Sequence, residues 1–228
     1  DLAFEDAVNL VRRPQVFSDY LLHRYANPSF MAAVGVLQLL GTLGARAAAE
    51  PARADDDRNA TPSRPPRRVL DLACGAGHSS FLMRQLFPAL SVVSVDHDFV
   101  SLYLAKRFLA PDTTHLCLDA EVPSPFVDEY FDAIFCLDAF HYFQSKRAIL
   151  AELKRVARPK ALWLFPHLHN ALQANITAGV PLSPEKYLEC FSFLDARLFD
   201  ETELIRGLSE RHALALERGL SVPELNKA

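Results

Sequence analysis

Three carboxylates, a glycine turn and a set of histidines stand where chemistry could be done. Asp71 lies inside the apolar run Val69-Leu70-Asp71-Leu72, which passes through Ala73 and Cys74 into Gly75-Ala76-Gly77. Glycine has no Cβ and tolerates positive φ, so such a turn brings backbone close to a ligand. A helix starting there adds free N–H groups. A dinucleotide fingerprint would place a third glycine three positions further on, and Ser80 stands there instead. Asp71 would also repel a pyrophosphate at close range and attract an ammonium. The turn therefore suits a nucleotide-like ligand with a cationic amino-acid head better than one with phosphates.

Two further acids repeat the arrangement. Asp96 ends the β-rich run Ser91-Val92-Val93-Ser94-Val95, and Asp119 follows His115-Leu116-Cys117-Leu118. A carboxylate suits a vicinal diol, because it offers several lone pairs and no donor of its own. Each acid falls at the carboxyl end of a separate expected strand, where open α/β sheets bind ligands. Simpler roles exist for each. Asp96 or Asp98 could cap the next helix, and Asp119 could begin a turn toward Pro123 and Pro125.

The run Asp71-Leu72-Ala73-Cys74-Gly75-Ala76-Gly77 resembles the first motif of class I S-adenosylmethionine-dependent methyltransferases. That resemblance implies S-adenosylmethionine as cofactor, with Asp71, Ala73, Gly75 and Gly77 beside its methionine part. It places Asp96 and His97 at the ribose, and Asp119 and Ala120 at the adenine. Phe131–Leu137 would form the fourth strand, with Leu137 at the cofactor and Asp138–Phe143 lining cofactor and substrate. The implied fold is α/β, a doubly wound, mostly parallel, Rossmann-like sheet whose C-terminal end is either incomplete here or built differently from the family pattern.

A sulfonium methyl is already activated, so such a protein must mainly align the acceptor and exclude water. A base is needed only if the acceptor loses a proton during attack. His141 and His167 are the candidates, with His141 alternatively packing against the cofactor beside Phe140 and Tyr142. On a strand His167 and His169 would share a side, as substrate contacts, a base, or two metal ligands. A metal would need a further ligand such as His141 or Asp138, and none is expected. His78 is read as shaping the glycine turn.

The elements that must position these groups alternate in the way a parallel sheet requires. Helices are expected from Ser79 to Phe87, from Phe99 to Leu109 and from Ser145 to Ala157, with a fifth strand at Ala161–Phe165. Residues 1–48 have helical spacing and read as an N-terminal cap divided at Pro14 and Pro28. Residues 49–66, rich in Pro, Ala, Asp and Arg, read as a mobile linker. Residues 67–170 form the cofactor-binding core. Residues 171–228 form a mostly helical extension, with helix at Pro181–Phe193 and Glu201–Leu220 and a short strand at Leu194–Phe199. Only that strand is a candidate for the antiparallel pair that usually closes such a sheet.

With 228 residues, half of them hydrophobic, the chain can bury one substantial core. A formal charge of −4 disfavours a nucleic-acid partner, and a small-molecule acceptor is expected instead. Four separated cysteines, no apolar run of membrane-spanning length and no secretory pattern suggest a cytoplasmic protein. The chain begins at Asp1 and could be part of something longer. The leading expectation is methyl transfer to a small molecule; the alternative is a non-catalytic cofactor-binding or interaction domain.

Overall fold

A computed structural model describes residues 3–11, 15–41, 67–174 and 178–211. Helices α1 (Phe4–Val11), α2 (Gln15–Leu22) and α3 (Pro28–Leu37) come first. Pro28 occupies the first turn of α3, where no N–H is required, and the Asn27 side chain accepts from the Ser29 N–H at 2.9 Å. The boundary at Pro14 and the segment 49–66 lie outside the described residues.

The core then runs β1 (Arg68–Leu72), α4 (His78–Leu86), β2 (Ser91–Asp96), α5 (Phe99–Leu104), β3 (Thr114–Cys117), β4 (Phe131–Phe135), α6 (Lys146–Val156) and β5 (Ala157–Leu164). The five strands pair in parallel in the order 3-2-1-4-5. Asp71 sits opposite Ser94 of β2 and Phe135 of β4, and Asp96 opposite Cys117 of β3. Val69, Val92, Ala133 and Phe135 pack on one side of the sheet with Met83 of α4 and Phe30 and Leu37 of α3. Leu70, Val93, Val95 and Ile134 pack on the other with Ile149, Leu153 and Val156 of α6. Burial on both faces is why the central strands read as continuous apolar runs rather than as alternating ones.

The doubly wound sheet is thus as expected, with differences at the margins. β5 starts at Ala157 rather than Ala161, because an edge strand accommodates Pro159, and the pairing with β4 shifts register between Phe131 and Ala133. The helix from Phe99 ends in a wider π turn at Ala105–Leu109. Helix α7 spans Pro184–Cys190, shorter than expected, and α8 spans Glu201–Arg211; the rest of that expected helix lies outside the described residues. Leu194–Phe199 forms no strand: its apolar side chains line a hollow instead of pairing. No antiparallel pair closes the sheet among the described residues. Nor is any described helix long and apolar enough to cross a membrane.

Candidate functional site

The turn after β1 uses three left-handed residues, Ala73 at φ 54°, Gly75 at φ 54° and Gly77 at φ 83°. The two glycines serve different ends. A Cβ on Gly77 would lie 2.7 Å from the Ala105 Cβ and 3.3 Å from its Cα, so this glycine lets the turn seat on the π turn after α5. A Cβ on Gly75 would meet nothing within 4 Å, leaving an open backbone cradle. The Gly75 N–H donates to Asp96 Oδ2 at 2.8 Å, and the Asp98 N–H donates to Asp96 Oδ1 at 2.8 Å. Asp96 therefore joins the tip of β2 to the cradle, while Asp98 caps α5 by accepting from the Val100 N–H at 3.0 Å. His97 is exposed, its Nδ1 3.5 Å from Asp96 Oδ1.

Asp71 lies beneath the turn, 1% exposed. The Ser80 hydroxyl donates to its Oδ2 at 2.5 Å and lies 2.7 Å from the Ser94 hydroxyl. The serine that replaces the third glycine is thus the partner of the strand carboxylate. Burial pushes the Asp71 pKa up to about 7, the Ser80 bond works against that, and the neighbouring Asp96 adds to it. Asp119 is exposed just past β3, where its Oδ1 accepts from the Glu121 N–H at 2.9 Å in a local turn. Ala120 is half-buried against the core, and Leu137 is buried past the end of β4. The structure brings Asp71, Asp96 and Asp119 to the tips of three adjacent strands.

A second polar group forms at the tips of β4 and β5. Asp138 and His167 hold left-handed backbone at φ 53° and 58°, a conformation that non-glycine residues adopt at a cost and that tends to collect at functional sites. Asp138 Oδ2 accepts from the Tyr20 hydroxyl at 3.3 Å and from Arg24 Nη1 at 3.2 Å. Its Oδ1 lies 3.2 Å from His169 Nε2 and 3.7 Å from His167 Nε2. The other nitrogen of His167, Nδ1, is 2.7 Å from Glu201 Oε2 at the start of α8. Burial lowers the His167 pKa, but the Glu201 bond and charge outweigh it, and the net shift is upward.

His141 is 1% exposed and stacks on His169 at 3.7 Å between ring centroids. Burial first, then His169, lowers its pKa to about 4, so the ring is neutral at pH 7. Gly179 packs over it: a Cβ there would lie 2.9 Å from the His141 ring. His78 is also buried and neutral, pushed down to about 4 mainly by burial. Its Nε2–H donates to the Leu21 carbonyl at 3.0 Å, and its ring meets Tyr25 edge-on. His78 thereby docks the N-terminal helices onto the glycine turn, beyond the turn-shaping role expected.

Beside the histidines lies a hollow of about 650 Å³ between α3, β5, the 194–200 segment and α8. Val36, Trp163, Phe165, Phe191 and Leu204 make it apolar, and His167 and Glu201 form part of its wall. Reading along the chain did not find Tyr20, Arg24 or Glu201. Tyr20 sits in a largely apolar helical stretch, whereas Glu201 opens a polar helix that carries no such signal.

Strand-tip acids around a glycine cradle, on a parallel sheet of this order, define a nucleoside-binding α/β domain. Residues 70–165 match the methyltransferase domain family. The chain belongs to the class I S-adenosylmethionine-dependent methyltransferases, with an S-adenosylmethionine-binding domain. It is 37% identical over 159 residues to a phthiotriol/phenolphthiotriol dimycocerosates methyltransferase of Mycobacterium tuberculosis, covering 67% of this chain and 58% of that one. It is 35% identical over 95 residues to a demethylmenaquinone methyltransferase of Thermotoga maritima, covering 42% and 41%. The chain thus spans about half the length of these relatives. A solved structure of a candidate methyltransferase from Bacillus halodurans shares the fold, with a TM-score of 0.50 at 22% identity over 60% of this chain and 65% of that one.

Proposed function

We propose that this protein transfers a methyl group from S-adenosylmethionine to a hydroxyl-bearing acceptor with an apolar body. The observation that carries the acceptor reading is the His167–Glu201 pair, set in the wall of an apolar hollow while His167 also faces Asp138 at the tip of β4. The acceptors named for three relatives, a demethylmenaquinone, phthiotriol or phenolphthiotriol dimycocerosates and a malonyl-[acyl-carrier protein], differ from one another. The hollow, rather than kinship, therefore supports this choice.

The residues fit the cofactor. Gly75 leaves backbone open to it, and Asp96 retains lone pairs for a ribose diol beyond those used by the Gly75 and Asp98 N–H groups. Asp71 acts from below the turn as a negative charge toward a cationic head, and Asp119 stands at the adenine end. S-adenosylmethionine supplies an activated sulfonium methyl. The hollow holds the acceptor's apolar part and excludes water, while His167, oriented by Glu201, takes the acceptor proton. The N-terminal helical segment around Tyr20 and Arg24 acts as part of the site, because these two side chains fix Asp138.

Two measurements test this. Calorimetry should show S-adenosylhomocysteine binding with negligible binding of NAD; the reverse ranking overturns the cofactor assignment. Turnover of 4-alkylphenols should rise in kcat/KM by about fourfold per added methylene until the hollow is filled, from roughly 0.8 kcal/mol per buried CH₂. A flat chain-length dependence would rule out the hollow as the acceptor site.

A further inference from the structure

We propose that Asp138, His141 and His169 form a binding site for a divalent transition metal. One ligand atom from each lies within 4.8 Å of the others. The carboxylate is divided in function: Tyr20 and Arg24 hold Oδ2, which leaves Oδ1 turned toward the histidines. Such outer contacts orient a ligating carboxylate.

The independent observation is His141. Its ring is 1% exposed, and neither ring nitrogen has a hydrogen-bond partner among the described residues. A buried imidazole with both nitrogens unmet is costly, since polar groups taken from water are almost always paired. The neighbouring packing holds the ring there nonetheless: Gly179 closes over it, and the Val180 N–H donates to its carbonyl at 2.7 Å. A metal ion accepts the lone pair that nothing else takes. Because the two imidazoles lie only 10° from parallel, they must fan apart slightly to aim at one ion.

Two imidazoles and one carboxylate select zinc- or iron(II)-like ions over magnesium or calcium, which prefer all-oxygen shells. Three protein ligands also leave a position open. Resting on the methyl-transfer reading above, that position would take the acceptor hydroxyl and ease loss of its proton to His167.

The test uses the full chain, stripped with a chelator, and titrates zinc against a chromophoric competitor, with cobalt(II) absorption as a second readout. One equivalent should bind at micromolar or tighter dissociation constant, unaffected by millimolar magnesium. Asp138→Asn, His141→Phe and His169→Ala should each weaken binding by about 100-fold or more. His141→Phe keeps the ring's volume, and an unchanged far-ultraviolet circular dichroism spectrum with a cooperative urea transition certifies each variant as folded. Zinc binding weaker than millimolar, or unchanged in the His141→Phe, His169→Ala double variant, overturns the site. Absence of zinc binding by the unmodified protein, with intact S-adenosylhomocysteine binding, sinks only this proposal. Failure of S-adenosylhomocysteine to bind the unmodified protein sinks the functional reading and leaves the metal measurement standing.

Discussion

The tips of β1–β3 and the tips of β4–β5 are built differently, although they belong to one sheet edge. On the first side, polar side chains bond to near neighbours: Ser80 to Asp71 across nine positions, Gly75 to Asp96 across 21. On the second, they bond across the chain: His167 to Glu201 across 34 positions, Arg24 to Asp138 across 114 and Tyr20 to Asp138 across 118. The first is assembled by consecutive strand-turn-helix units. The second exists only once the N-terminal helices and α8 have docked. The polar groups at the tips of β1–β3 can therefore be carried by the core of the fold, while those at the tips of β4–β5 depend on the helices docked around it.

The largest effect should come from separating the two glycines of the turn. Gly77→Ala combines left-handed strain with a 2.7 Å clash against Ala105, and should cost about 2–4 kcal/mol of stability. Gly75→Ala meets open space and should cost only about 1 kcal/mol, its main effect being weaker S-adenosylhomocysteine binding. Urea unfolding and calorimetry on both variants check this, and equal losses of stability would remove the distinction. Arg24→Met should lower stability by about 1–3 kcal/mol, by leaving Asp138 without its cation. It should leave S-adenosylhomocysteine affinity within about twofold. A large loss of that affinity would show that the two sides are not separable. Asp96→Ala should do the converse, weakening S-adenosylhomocysteine by about 1.5–2 kcal/mol through lost hydrogen bonds. Unchanged affinity would take Asp96 out of the site.

The same difference explains what could be read in advance. The sheet, its order of strands and helices, and the acids at its tips were legible because each is encoded within about 25 residues by apolar runs, caps and glycines. Asp98 as the cap of α5 and the seating of Gly77 on Ala105 needed coordinates, but each lay inside a segment already read correctly. Pro159 hid the start of β5, since an edge strand obeys looser rules than a central one. Leu194–Phe199 has the composition of a strand and forms none, because its apolar side chains face a hollow and no neighbouring strand pairs with it. His141, His167 and His169 could be singled out by type. Their convergence on Asp138, and the roles of Tyr20, Arg24 and Glu201, could not, because no local pattern records which distant helix will dock.

The smallest expected effect concerns Asp71, whose pKa is strongly displaced. In the folded, ligand-free protein its pKa is about 7 against an ordinary value of 3.8, chiefly through burial. Its raised pKa contributes stability that is fully present below about pH 4 and lost as the pH rises through about 7. The adjoining thiols of Cys74 and Cys136 are both pushed up by burial and stay neutral over this range, so they add no charge change. A ligand with an ammonium near the turn should favour ionised Asp71. Affinity for S-adenosylhomocysteine should then increase from pH 6 to 7.5, by less than tenfold per pH unit, the limit for one proton. Calorimetry at pH 6.5 in two buffers of different ionisation enthalpy should show a fraction of a proton released on binding. Asp71→Asn should abolish both the release and the slope. If the slope survives in that variant, the proton comes from elsewhere, and Asp71 serves only to hold Ser80 and the turn.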